Sequence, residues 1–160
     1  MDKKNSKNKI EKINKIYFGA DHAGYEAKQF ALDYCKENFD IVVEDLGTSS
    51  EESVDYSDIA FKVACEVANN NNSFGILFCG TGIGMSIASN KVRNIRTALC
   101  TTEFHAEMAR KHNDANILAM GGRVSTKDEI SKMIDKWFET KFEGGRHKRR
   151  IDKIEKYSEC

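Results

Sequence analysis

The chain has 160 residues, 40% hydrophobic and 31% charged, with 25 basic against 25 acidic residues. That is the size and balance of one globular domain with an ordinary core, and zero net charge argues against a general nucleic-acid binder. No apolar run approaches a membrane span and the N-terminus lacks the apolar core of a secretion signal, so a cytoplasmic protein without a membrane partner is expected.

Residues 1–15 hold six lysines against two acids. They have little to bury, so 1–14 is expected as a flexible lysine-rich tail ahead of a single domain over 15–160. Short apolar runs at 16–20, 41–46, 74–79, 95–100 and 116–120 read as buried strands. Helical stripes lie between them. Ala27, Phe30, Ala31, Tyr34 and Cys35 share one face, as do Ile59, Ala60, Val63, Ala64 and Val67, and Ile130, Met133, Ile134, Trp137 and Phe138. Ser57 before Asp58, and Thr126 three residues ahead of Glu129, mark helix starts. A mostly charged helix is expected over about 147–158. Five strand–helix alternations predict a three-layer α/β/α sandwich on an open, five-stranded parallel sheet with right-handed crossovers.

In such folds ligands bind beyond the C-terminal ends of the strands. There the sequence places Asp21-His22-Ala23-Gly24, the loop 47–56, Cys79-Gly80-Thr81-Gly82-Ile83-Gly84 and Gly121-Gly122-Arg123. Three alternating glycines before a helix can aim several N–H groups at one point, which cradles an anion. Met85 stands where a dinucleotide fingerprint needs glycine or alanine, and the lysine of a P-loop is missing. The anion is therefore a phosphate or a developing oxyanion rather than a nucleotide pyrophosphate. Cys79 stands one residue before the cradle, where positive potential favours thiolate, a nucleophile or a base. The competing reading is an inert buried thiol. Cys35 and Cys65 lie on apolar stripes and read as core residues, and Cys160, the last residue, reads as exposed.

Four histidines are present. His105 and His112 are seven apart and no ligand cluster surrounds them, so no metal is expected, and His105 reads as a surface or packing residue. His22, at a strand end beside Asp21, reads as a ligand contact. His112 precedes the fifth strand and so lies toward the edge away from Cys79. If both serve one site, a second subunit supplies one of them. Residues 141–160 hold seven basic residues against four acidic, with Arg146, His147, Lys148, Arg149 and Arg150 clustered behind Gly144-Gly145. This is either an anion site or a solvated face.

Gly19-Ala20-Asp21-His22-Ala23-Gly24, Asp55-Tyr56, the Cys79–Gly84 run, His112-Asn113-Asp114-Ala115-Asn116, Gly121-Gly122-Arg123 and Phe142-Glu143-Gly144-Gly145-Arg146-His147 follow one another in this order. Together they resemble the RpiB/LacAB family of sugar-phosphate isomerases over about 15–158. The resemblance implies reversible conversion of ribose 5-phosphate and ribulose 5-phosphate in the non-oxidative pentose phosphate pathway, without metal or organic cofactor. It assigns Cys79 as the base, His112 as the proton donor for ring opening and Thr81 as an aid to proton transfer. Gly80, Gly82, Ile83 and Gly84 would hold the enediolate. His22, Arg146, His147 and Arg150 would surround the phosphate. Asp21, Tyr56, Asn113 and Arg123 fall on other substrate contacts. It also implies a homodimer or tetramer with shared sites, the C-terminal helix reaching the partner subunit. The family often has proline after the Asp-Tyr pair, where this chain has Ser57. Rival readings are a six-carbon phosphosugar substrate (allose or galactose 6-phosphate) and a non-catalytic phosphosugar-binding module.

Overall fold

The computed structural model describes residues 13–157. The expected exposure of Cys160 and residues 1–12 of the expected tail fall outside them. Ile13 and Asn14, assigned above to the tail, belong to the fold. Ile13 packs on the core, and Asn14 donates to Asn72 O and accepts from the Val42 N–H.

The strands are β1 (Lys15–Ala20), β2 (Val42–Asp45), β3 (Ser73–Cys79), β4 (Thr97–Leu99) and β5 (Ile117–Gly121). They form one sheet in the order β2-β1-β3-β5-β4, parallel throughout. The helices are α1 (Tyr25–Asn38), α2 (Tyr56–Asn69), α3 (Ile83–Ser89), α4 (Glu103–Asn113), α5 (Lys127–Glu139) and α6 (Arg146–Tyr157), with a 3-10 turn at His22–Gly24.

Side chains alternate across the sheet with period two. Ile16, Phe18, Ala20, Ile76, Phe78, Leu118 and Met120 face a cluster with residues of α1, α4 and α5. Tyr17, Leu77, Cys79, Ile117 and Ala119 face a second cluster with α2 and α3. Both faces are covered, so the central strands read as continuous apolar runs. Trp137, fully buried, meets Phe74 edge-on at 5.8 Å. Thr126 and Glu129 close a capping box at the start of α5, as their spacing predicts.

Local details depart from the sequence reading. Ser57 does not cap α2. The helix starts at Tyr56 with Asp55 in the cap position, and Asp55 makes no side-chain cap bond. Cys65 is exposed, because the buried face of α2 is Ala60, Val63, Ala64 and Val67. On α1 the buried positions include Lys28 and Leu32, whereas Ala27, Phe30 and Tyr34 are only partly covered. Burying Lys28 demands a partner for its charge. Its Nζ finds both Asp45 carboxylate oxygens at 2.6 Å and the Thr48 carbonyl at 2.6 Å. This ties α1 to the end of β2 and to the loop that follows.

Candidate active site

The chain passes from β1 out to β2 and returns to β3 on the other side of β1. This reversal opens a crevice beyond the C-terminal ends of β1 and β3, the place where open α/β sheets bind ligands. Backbone hydrogen bonds knit the loops there. Asp21 N–H donates to Phe78 O, Thr48 N–H to Ala20 O, Gly122 N–H to Cys79 O and Arg123 N–H to Gly80 O.

Cys79 closes β3 with 5% exposure. Its Sγ accepts the Gly82 backbone N–H at 3.0 Å. That bond needs a sharp turn, which Gly82 makes with φ of 80°, a region that penalises any side chain. The loop thus turns a backbone donor onto the sulfur. Thr81 Oγ1 accepts the Ile83 N–H at 3.3 Å, and Thr81 itself is exposed. Two amides of the expected anion cradle are therefore turned onto Cys79 and Thr81.

Tyr56 crosses the cradle. A Cβ on Gly84 would lie 2.8 Å from its ring, so the absence of a side chain at 84 lets the ring lie on the loop backbone. Asp21 is buried, and its Oδ1 accepts from the Ala23 and Gly24 N–H groups. It shapes the turn that carries His22. His22 Nδ1 accepts the Val54 N–H at 3.4 Å, the tautomer in which Nε2 carries the ring proton. Arg123 is exposed and lies over Gly80, where an added Cβ would meet its side chain at 3.4 Å.

His112, Asn113, Arg146, His147 and Arg150 form a second group. α4 ends with Asp114 in the left-handed region at φ 43°, its N–H donating to Ala109 and Arg110 carbonyls. Arg110, Lys111 and His112 fill the last turn, where positive charge meets the negative end of the helix dipole. The strap after α5 returns to this helix end through the Glu143 N–H, which donates to Lys111 O. Arg96 links the same corner to α6. It donates to Asn113 O and Asp114 O and pairs with Glu155 at 2.7 Å.

His147, 6% exposed, stacks on His112 with centroids 4.2 Å apart and planes 9° apart. Burial pushes the His147 imidazole below its ordinary pKa, and His112, Arg146 and Arg150 push the same way against Glu143. Arg146 and Arg150 are exposed and one helical turn apart, so they share a face. The sequence spacing of His105 and His112 missed this pairing. His105 is exposed and contacts Thr101 at 3.2 Å, while the partner of His112 is 35 positions away. Glu143, for which no role was read, also reaches it. Its Oε2 lies 3.4 Å from His147 Nε2 and 3.9 Å from His112 Nε2.

The two groups stand at opposite ends of the sheet. His112 precedes β5, whose five residues span roughly 15 Å, and Cys79 pairs with Gly121 at the far end of that strand.

Comparison with known proteins agrees with this architecture. A family model described as Ribose/Galactose Isomerase matches residues 16–154. The chain is 41% identical over 142 residues, covering 89% of this chain and 95% of the other, to a protein from Escherichia coli named ribose-5-phosphate isomerase B. The solved structure of ribose-5-phosphate isomerase B from Clostridium thermocellum superposes with a TM-score of 0.87 at 46% identity, covering 91% of this chain and 97% of that one. The structure of the Mycoplasma genitalium ribose-5-phosphate isomerase B with bound ribulose-5-phosphate superposes with a TM-score of 0.86 at 39% identity, covering 91% and 96%.

Proposed function

The chain belongs to the ribose/galactose isomerase family, and on that premise we propose that it interconverts ribose 5-phosphate and ribulose 5-phosphate in the non-oxidative pentose phosphate pathway. The observation that carries this reading is the Cys79 sulfur at the topological crevice, held by a loop amide, with Asp21, His22, Tyr56, Thr81 and Arg123 on the loops and helix start at the same end of the sheet. A relative of nearly equal length binds ribulose-5-phosphate.

In the proposed sequence His112 donates a proton to the ring oxygen as the bond from C1 to that oxygen breaks, the anomeric hydroxyl releases its proton to solvent water, from which His112 is reprotonated, and the furanose opens to the aldehyde. The Cys79 thiolate takes the proton from C2, and electron density moves onto the C1 oxygen. As sulfur becomes a thiol its hold on the Gly82 amide weakens. The amides of Gly80, Gly82, Ile83 and Gly84 are then free to stabilise the enediolate. Thr81 relays a proton from the C2 oxygen to the C1 oxygen. Cys79 returns its proton to C1, giving the ketose. Asn113 and Arg123 hold sugar hydroxyls. Arg146, His147 and Arg150, with His22, bind the phosphate through charge-assisted hydrogen bonds. Acid, base, relay and amides account for every step, so the scheme invokes no metal or organic cofactor.

The separation of the two residue groups supports a homodimer, or a tetramer built from it, in which Cys79 of one copy meets His112 and α6 of the other. In a two-fold dimer both sites are completed at once. Ile83 and Ile87, beside the cradle and exposed by 50% and 61%, are apolar surface that a second copy would cover. Among the described residues no helix is long and apolar enough to cross a membrane, and a cytoplasmic setting fits the reading.

Incubation of the purified protein with ribose 5-phosphate tests it. Ribulose 5-phosphate should accumulate to equilibrium. Turnover of allose or galactose 6-phosphate alone would reassign the substrate, and binding of phosphosugar without turnover would make this a non-catalytic module.

A further inference from the structure

The corner where α4 meets α6 holds more than a phosphate site requires. His112, Glu143 and His147 each offer a ligand atom, and these atoms lie within 4.8 Å of one another. His147 is buried, and its Nε2 has no hydrogen-bond partner. The Glu143 oxygen at 3.4 Å is close enough for electrostatic attraction but outside hydrogen-bond geometry. A buried nitrogen of this kind carries a desolvation cost that a ligand removes.

We propose that His112, Glu143 and His147 form a binding site for a divalent transition-metal ion of the Zn2+ class, and that its occupancy shuts the phosphosugar out of this half of the active site. The second clause rests on the function proposed above; the first does not.

Two imidazoles and one carboxylate select Zn2+-class ions over Mg2+ or Ca2+, which prefer all-oxygen sets. They match the three-ligand sites that leave a fourth position open. Ligand atoms about 2.0–2.1 Å from a tetrahedral ion lie about 3.4 Å apart. The separations of 3.4 and 3.9 Å to Glu143 are close to that. Parallel stacking points the two ring lone pairs side by side, so one ring must swing for both to meet the ion. His112, with 36% of its side chain exposed, is the ring free to do so. Its swing takes it out of the position assigned to the ring-opening donor. Lys111, 3.5 Å from the other Glu143 oxygen, steadies the carboxylate from behind. Once His147 binds the ion through Nε2, that nitrogen is no longer available to the sugar phosphate. The same ion therefore occupies the place of the sugar phosphate.

The test is calorimetric titration of Zn2+ alone into the full-length protein and into Glu143→Gln, His147→Asn and Cys65→Ser variants, with circular dichroism as a fold control. One ion should bind per chain. Affinity should fall in Glu143→Gln and His147→Asn by more than the roughly 10–100-fold that loss of an outer-shell partner costs. It should stay unchanged in Cys65→Ser and weaken when inorganic phosphate is added. Glu143 is half exposed, so its variant keeps the test valid if His147→Asn unfolds. Binding that survives Glu143→Gln, or that vanishes with Cys65, overturns the site. In parallel, isomerisation of ribose 5-phosphate should fall as Zn2+ occupancy rises and return with chelator. Occupancy without inhibition overturns the exclusion clause. A protein inactive even with chelator would refute the isomerase reading while the isotherms still decide the metal site.

Discussion

The sulfur of Cys79 accepts the Gly82 backbone N–H at 3.0 Å across a turn that Gly82 makes in the left-handed region. β3 ends where the loop can reach back over its last side chain, so strand and loop together hold a buried sulfur against a donor. Replacing Cys79 with alanine removes the proposed base and the acceptor of the Gly82 N–H, and leaves the distant basic group untouched. Isomerisation should fall by at least about 10²–10⁴-fold, while inorganic phosphate binds with nearly native affinity. Equal loss of both would remove the base assignment.

Tyr56 and Gly84 offer a steric test. A Cβ at 84 would come within 2.8 Å of the Tyr56 ring, and overpacking of this kind costs about 1–3 kcal/mol where nothing yields. Tyr56 is 45% exposed, so the ring can swing out instead. Gly84→Ala should therefore keep its melting temperature within a few degrees and raise KM for the phosphosugar about tenfold. A large loss of stability with unchanged KM would mean that Tyr56 packs the fold and does not touch substrate.

His147 sets a pH dependence of stability. Its pKa in the folded protein lies below the ordinary 6.5, with burial the main cause and His112, Arg146 and Arg150 adding to it against Glu143. Below 6.5 the unfolded chain takes up the proton more readily than the folded one, so stability rises with pH in that window. The contribution is complete above 6.5 and is lost as pH falls from 6.5 toward the lowered folded value. Chemical unfolding between pH 5 and 7.5 should show this slope, and His147→Asn should flatten it. An identical slope in the variant would assign it to other groups.

Much of this architecture was legible in the sequence, and the misses have physical causes. The central strands β1, β3 and β5 show as apolar runs because helices cover both faces of the sheet, whereas the edge strand β2 carries Glu44 and Asp45 and is only partly buried. The run at 95–100 overstates β4, which is Thr97–Leu99, because Ile95 and Cys100 are buried beyond its ends. Cys65 looked internal because small apolar neighbours flank it, but the helix turns it outward. Nothing in the sequence marks Lys28 as buried, yet an aspartate and a carbonyl hold it inside. The Cys79 loop was readable from local spacing, since glycine geometry acts within a few residues. The stacking of His112 on His147 was not, because it depends on how α6 folds back onto α4. Glu143 stood inside a recognised motif, and only the fold shows that it points at both rings.

Arg146 is exposed in the single chain and one turn from Arg150. Replacing it with alanine removes a proposed charge-assisted donor to phosphate, a loss of about 1.5–3 kcal/mol. KM for ribose 5-phosphate should rise roughly tenfold or more, with little change in kcat or in melting temperature. An unchanged KM would show that the basic face of α6 is only solvated.

The central claim is that Cys79 of one copy works with His112 of another, and subunit mixing tests it most directly. Cys79→Ala and His112→Ala proteins, each nearly inactive on ribose 5-phosphate, are unfolded, mixed in equal amounts and refolded together. Half of the two-fold dimers then pair unlike chains, and each such dimer regains one intact site of its two, so conversion to ribulose 5-phosphate should recover to about a quarter of the native rate. Activity no greater than the sum of the two variants, with mixed dimers demonstrably formed, would contradict the shared site.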